Sequence, residues 1–300
     1  MPLLVVGSIA LDSVETPTDR RDDVLGGSAV YFSYAASYFT PVRLVGVVGE
    51  DWPPEHTELL TSRGIDTSGL EVVPGAKTFR WRGKYLPNMN DRETLEVHLN
   101  VFGDFNPKLP EAFRASRFVF LANGSPTLQL RVLEQVPDAQ LCVADTMDLW
   151  INIQHDELLA LLKRLDGIVL NDSEARLLTD EENLVRAGHK VLELGPKFVV
   201  IKKGEHGAMF FSRDETYVMP AYPTAQVVDP TGAGDSFAGA MMGYLAECGS
   251  VEPGTLKKAL AYGTVVASFN VEDFSLQRMR QIDRSHVDAR LEEYRRMLAF

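Results

Sequence analysis

Residues 227–245 read VVDPTGAGDSFAGAMMGYL. An apolar run ends at Asp229-Pro230-Thr231, passes through Gly232-Ala233-Gly234, meets a second acid at Asp235, and continues at once with a helical pattern. Glycines at 232 and 234 permit positive φ and let another molecule approach closely, because no Cβ intervenes. The helix that follows begins with unsatisfied amide N–H groups and the positive end of a dipole, a combination that binds anions. Helix capping by Asp235, worth about 1 kcal/mol, is the simplest account of that acid. It explains neither the Gly-Ala-Gly before it nor Asp229 upstream. A carboxylate beside an anion cradle suits a general base, which takes a proton from a hydroxyl as that hydroxyl attacks a phosphoryl group. Two commoner phosphate motifs are excluded by the letters: no Gly-Lys-Ser/Thr closes the turn, and Phe237 stands where a dinucleotide fingerprint needs its third glycine.

Outward from this stretch, short apolar runs alternate with amphipathic helical patterns: LLVVG, RLVGVVG, RFVFLAN, LCVAD, DGIVLN and KFVVIKKG, with helices around AVYFSYAASYF, after Pro53-Pro54, and in TLQLRVLEQV. Strands that read as continuous apolar runs between helices predict a doubly wound α/β fold, a mostly parallel sheet with helices on both faces. The segment KTFRWRGKYL breaks the rhythm. Phe79, Trp81 and Tyr85 alternate with Arg80, Arg82 and Lys84, the period of a strand with one aromatic and one basic face. With the stretch from Asp12 to Leu25 and with TLEVHLNVF, around Val97 to Phe102, it predicts a small β lid of antiparallel strands over the ends of the main sheet. Its aromatic face would be covered and its basic face free; a solvated surface ribbon fits the same spacing. We expect one domain over residues 1–300, with lid segments at about 12–25 and 75–105.

Forty-two acidic against thirty basic residues give a net charge of -12, a field that repels nucleic acid and anionic membrane. No apolar stretch approaches the roughly 20 residues that span a bilayer. The N-terminal MPLLVVGSIALDS has no basic region or small-residue cleavage site, so a cytoplasmic protein is expected. The six histidines lack metal-ligand spacing, and neither Cys142 nor Cys248 has a nucleophile's setting. Asp145 and Asp148, in DTMDLW, read first as loop and helix-capping residues.

The Asp-x-Thr-Gly-Ala-Gly-Asp run at 229–235 resembles the signature of the ribokinase-like (PfkB) carbohydrate kinases. Further pieces fall in that family's order: GSIALD ending at Asp12, the pair Gly26-Gly27 before a helix, NDSE at 171–174 and KKGEHG at 202–207. The resemblance implies Asp235 as catalytic base and Gly232, Ala233 and Gly234 as the anion hole. It assigns Asn171 and Glu174 to the phosphate and Mg²⁺ neighbourhood, where a helix-start acid facing the dipole is the plainer account. Lys203, Gly204 and Gly207 become ATP-side candidates, against a plain hairpin with exposed charge, and Asn270 an adenine-side candidate. Asp12, Gly26, Gly27 and Ser28 become acceptor-side candidates, with Asn123 a third such position unless it is a simple turn residue. Asp229 and Thr231 would border a monovalent cation such as K⁺, although Pro230 replaces the usual threonine. Tyr31 stands where ribokinases carry asparagine, so ribose is not assured. The implied activity is ATP-dependent phosphorylation of a sugar or polyol, with a nucleoside, adenosine-type, acceptor as the alternative and a non-catalytic nucleotide-binding protein a further one. The lid is the expected contact of a homodimer.

Overall fold

The computed structural model describes residues 1–299. Thirteen strands are formed among them: β1 (Leu3–Val6), β2 (Ala10–Glu15), β3 (Arg20–Gly26), β4 (Val42–Gly49), β5 (Ile65–Val73), β6 (Phe79–Tyr85), β7 (Arg92–His98), β8 (Phe118–Leu121), β9 (Leu141–Asp145), β10 (Gly167–Asn171), β11 (Phe198–Lys202), β12 (Ala208–Ser212) and β13 (Thr216–Met219). Nine of them build one sheet in the order β13-β12-β11-β10-β9-β8-β1-β4-β5, parallel throughout except for β12 and β13 at one edge.

The four residues of β1 show why this sheet is buried on both faces. Leu3 and Val5 enter one core, with Tyr31 and Phe32 of helix Ser28–Ala36, Met241 of helix Ala233–Cys248 and Leu260 of helix Pro253–Asn270. Leu4 and Val6 enter another, with Val132 of helix Pro126–Leu133, Leu158 of helix His155–Leu162, Ala175 of helix Asp172–Thr179 and Val191 of helix Leu184–Glu193. Alternate side chains of a strand point to opposite faces, so an unbroken apolar run serves two helical layers. The chain leaves β1 toward β4 and β5 on one side, then returns to β8 and proceeds the other way. In such sheets ligands bind at the carboxyl ends of the strands, where the order reverses.

A second sheet, β3-β2-β6-β7, forms the lid. Its aromatic side is covered as expected: Val14, Tyr85 and Phe274 are buried together, with Trp81 and Met89 against them. Three details differ from the sequence-based expectation. The central pair β2–β6 is parallel, because two separate hairpins meet side by side. The strand expected through Phe102 stops at His98, and Asn100–Phe102 is a 3₁₀ turn with Asn100 at φ 46°. The basic face is not free: Arg80 pairs with Asp23 and Asp51, Arg82 with Glu96 at 3.0 Å and Lys84 with Glu15 at 2.8 Å. Among the described residues no helix is long and apolar enough to cross a membrane.

Candidate active site

Consecutive strands deliver polar side chains to one edge of the main sheet. Asp145, Asn171 and Lys202 are the last residues of β9, β10 and β11, and Asn171 stands directly opposite Lys202 in the ladder. The glycine turn lies against this edge. Gly232, at φ 75°, is the N-cap of helix Ala233–Cys248, so Ala233 and Gly234 open its first turn; the Ala233 amide donates back to the Pro230 carbonyl at 3.1 Å, and the Gly234 amide is among the N-terminal groups that lack an intrahelical partner. A Cβ at Gly232 would fall 2.3 Å from the Tyr31 ring, and one at Gly234 would fall 2.7 Å from Lys202 Nζ. Any side chain at 234 would therefore displace the ammonium from the turn.

Asn270 and Ser236 hold the turn from behind. Ser236 Oγ donates to Asn270 Oδ1 at 3.0 Å, and Asn270 Nδ2 donates to the Thr231 carbonyl at 2.8 Å. Asn270 is 0% exposed, which removes it from contact with adenine: it braces the turn and does not line the nucleotide site. Asp229 Oδ1 accepts from the Thr231 amide at 2.9 Å, while its other oxygen, and the Tyr31 hydroxyl, find no hydrogen-bond partner among the described residues.

Three of the acceptor-side candidates, Asp12, Gly26 and Gly27, converge. A Cβ at Gly26 would fall 1.9 Å from Asp12 Oδ2, and the Gly27 amide donates to the same oxygen at 3.3 Å. Gly27, at φ 96°, caps helix Ser28–Ala36. Ser28 is occupied by Ser8, their hydroxyls 2.9 Å apart. Asn123 is also occupied: its carbonyl accepts from Trp150 Nε1 at 2.9 Å and its amide meets the Met147 sulfur at 3.2 Å, so it shapes a loop at this edge.

Asn171 and Glu174 form a reciprocal cap of helix Asp172–Thr179, at 2.7 and 2.8 Å. Gly204 and Gly207, both at positive φ, bound the turn between β11 and β12, and Lys203 closes it through its amide to the Gly207 carbonyl. The lysine whose ammonium reaches the glycine turn is its neighbour, Lys202.

Burial dominates the electrostatics. It raises Asp12 to about 7, with Asp229 and Asp235 adding repulsion, and raises Glu174 to about 7 against Lys202. Asp229 is raised to about 6. Burial also raises Asp235, opposed first by Lys202 and then by Arg92 of the lid. Asp145 is raised well above the usual carboxylate range by burial and by Asp235, and its Oδ1 has no hydrogen-bond partner among the described residues. It is therefore a member of this cluster and not a capping residue. Lys202 and Arg92 were not singled out from sequence, and Asp145 was read first as a loop or capping residue. For Asp145 and Lys202 the signal existed: each is the polar residue that ends a buried strand.

Model matching places residues 23–282 in the pfkB family of carbohydrate kinases. The chain belongs to this family. It is 28% identical over 253 residues to the cytidine kinase of Thermococcus kodakarensis, covering 82% of this chain and 88% of that one. The nucleoside kinase of Burkholderia thailandensis in complex with inosine shares the fold with a TM-score of 0.78 at 21% identity, covering 97% and 98% of the two chains. The ribokinase of Arabidopsis thaliana complexed with ribose and ATP does so with a TM-score of 0.75 at 22% identity, covering 97% and 98%. As a pfkB family member the protein is a phosphotransferase with a hydroxyl acceptor.

Proposed function

We propose that the protein transfers the γ-phosphoryl group of ATP to a hydroxyl of a nucleoside. The observation that carries the acceptor class is the pairing of Asp12 with Trp81 across the parallel β2–β6 ladder. Direct partners share a face, so a carboxylate that accepts hydroxyl hydrogen bonds stands beside an indole with the extent to stack on a base. The cytidine kinase resemblance supports the same acceptor.

In this reading Asp235 removes the proton of the acceptor hydroxyl as its oxygen attacks the γ-phosphorus. The bond from phosphorus to the bridging oxygen breaks and ADP leaves. The Gly232 and Gly234 amides and Lys202 meet the charge that spreads over the phosphoryl oxygens. Asp12 orients the acceptor through its hydroxyls. Lid residues Trp81 and Tyr85 keep water from the attacking position. Mg²⁺ fits the acid cluster: no group of three acid, His or Cys side chains is close enough among the described residues to enclose a metal, but the unpartnered Asp145 Oδ1 and Glu174 could hold one through water, as Mg²⁺ prefers. Bound with the nucleotide, it supplies charge neutralisation at the phosphates. The unpartnered, buried Asp229 oxygen supports a monovalent cation such as K⁺ beside the turn.

The test is ADP release from Mg-ATP over a panel of nucleosides, pentoses, hexoses and inositols, in K⁺ and in tetramethylammonium, with Asp235→Asn alongside. A nucleoside should stimulate release, and the substitution should lower kcat by about 10²–10⁴. Stimulation by a free sugar or polyol alone would instead establish the acceptor first expected from the sequence. An unaffected Asp235→Asn enzyme would end the assignment of the base.

A further inference from the structure

Strand β7 carries a positive charge that no carboxylate answers. Arg92 is the direct cross-strand partner of Tyr85, so both side chains leave the lid on the same face. The Tyr85 hydroxyl on that face lies 3.3 Å from Thr231 Oγ1, in the glycine turn. The basic residues on the opposite face of β6 are all engaged by acids, Arg80, Arg82 and Lys84 alike. Arg92 forms no ion pair among the described residues, yet its charge is felt by Asp235 and by Glu174, lowering both against the effect of burial.

The hairpin that carries Arg92 is also tethered on the far side of the cleft. Asn90 Nδ2 donates to Glu205 Oε1 at 2.9 Å, and a Cβ at Gly204 would fall 2.5 Å from Asn90 Oδ1. The lid thus touches the glycine turn through Tyr85 and the turn after β11 through Asn90, and the exposed Arg92 lies in the chain between Asn90 and the rest of β7, opposite Tyr85. That cluster poses a problem for an incoming triphosphate. Asp145 feels the repulsion of both Glu174 and Asp235, and from the sheet side Lys202 offsets all three acids.

We propose that Arg92 is a catalytic residue, its guanidinium bound to the oxygens of the transferred phosphoryl group on the side opposite Lys202. The planar fork of arginine matches two phosphoryl oxygens at once, and its charge is permanent, so it makes no claim on the proton that passes to Asp235. Because Arg92 belongs to the lid, the contact exists only when the lid lies over the cleft, which couples phosphoryl stabilisation to the exclusion of water. The inference rests on the phosphotransferase reading and extends it to a residue of the lid.

The experiment is calorimetric binding of Mg-ADP and of the Mg complex of the β,γ-imido analogue of ATP to the full chain, in wild type, Arg92→Ala and Arg92→Lys. Only the imido analogue carries the γ-phosphoryl group. Arg92→Ala should weaken it by about tenfold or more, the usual range for a lost charge-assisted hydrogen bond, while ADP changes by less than about twofold. Lysine, keeping charge without the fork, should restore part of the loss. Equal weakening of both nucleotides, or of neither, overturns the proposal. Wild type binding neither nucleotide would overturn the phosphotransferase reading itself, a result distinct from either.

Discussion

Replacing Asn270 with alanine removes two hydrogen bonds at once, from Ser236 Oγ at 3.0 Å and to the Thr231 carbonyl at 2.8 Å. Ser236 and Asn270 are both 0% exposed, so water cannot replace the contact between them without entering the core, whereas Thr231 is half-buried. Each buried group left unpaired costs about 1–3 kcal/mol, giving about 2–6 kcal/mol for the two as an upper range. Against a typical total of about 5–15 kcal/mol this is a large loss, so Ser236→Ala, which removes one contact, serves as the milder companion at about 1 kcal/mol. The freed Thr231 carbonyl also loosens the turn proposed to hold the phosphoryl group, and kcat should then fall by about tenfold to a hundredfold with little change in KM for ATP. Urea unfolding and steady-state kinetics measure the two effects separately. The reasoning is refuted if Asn270→Ala stays within about 0.5 kcal/mol of wild type, the range of ordinary surface changes. It is refuted equally if KM for ATP rises at unchanged kcat, the result expected of an adenine contact.

Two further outcomes follow from the lid and the acids. Asp12 is raised from 3.8 to about 7, so between these values the folded protein holds a proton that the unfolded chain releases, and its contribution makes stability fall as pH rises from about 4 to about 7. Ion-paired acids such as Glu181, lowered to about 2 by Arg186, slope the opposite way, so the comparison must be between variants. Asp12→Asn should match wild type near pH 4 and exceed it at pH 8 by a few kcal/mol, at about 1.4 kcal/mol per unit; thermal unfolding at the two pH values decides, and no difference between them refutes the shift. At the outer edge of the lid, β7 presents exposed Leu95 and Val97 and an unpaired strand edge, which supports association of two copies there. Leu95→Glu with Val97→Lys should convert a dimer to monomer in light scattering, and a wild type already monomeric at tens of micromolar refutes it.

Much of this molecule could be read from letters because the information was local. The turn at 229–235 declared itself through residue types that only backbone geometry explains, and apolar runs such as LLVV announced a sheet buried on both faces. What escaped the sequence depended on which way a side chain turns or on what lies beside it. Lys202 and Lys203 are adjacent, and only the end of β11 decides that the first reaches Gly234. Asn270 looked available to a ligand until helix Pro253–Asn270 placed it behind the turn. Asp145 has the letters of a cap, and its role comes from Asp235, which is distant in sequence. Arg92 sits in an unremarked polar run, and its significance depends on the register that sets it opposite Tyr85.

The parallel union of β2 with β6 has a consequence for how the molecule assembles. Asp12 and Trp81 are separated in the chain by β3, β4 and β5, so this ladder closes a long loop, the kind of pairing that forms slowly. The main sheet is sealed between two helical layers, whereas every residue of β7 is exposed to solvent. Amide hydrogen exchange should therefore divide the protein in two, with β1, β8 and β10 slow and β7 fast. The proposed acceptor residues Asp12 and Trp81 both belong to the second sheet, so a substrate that also touched the end of the main sheet would act as an adhesive between the two.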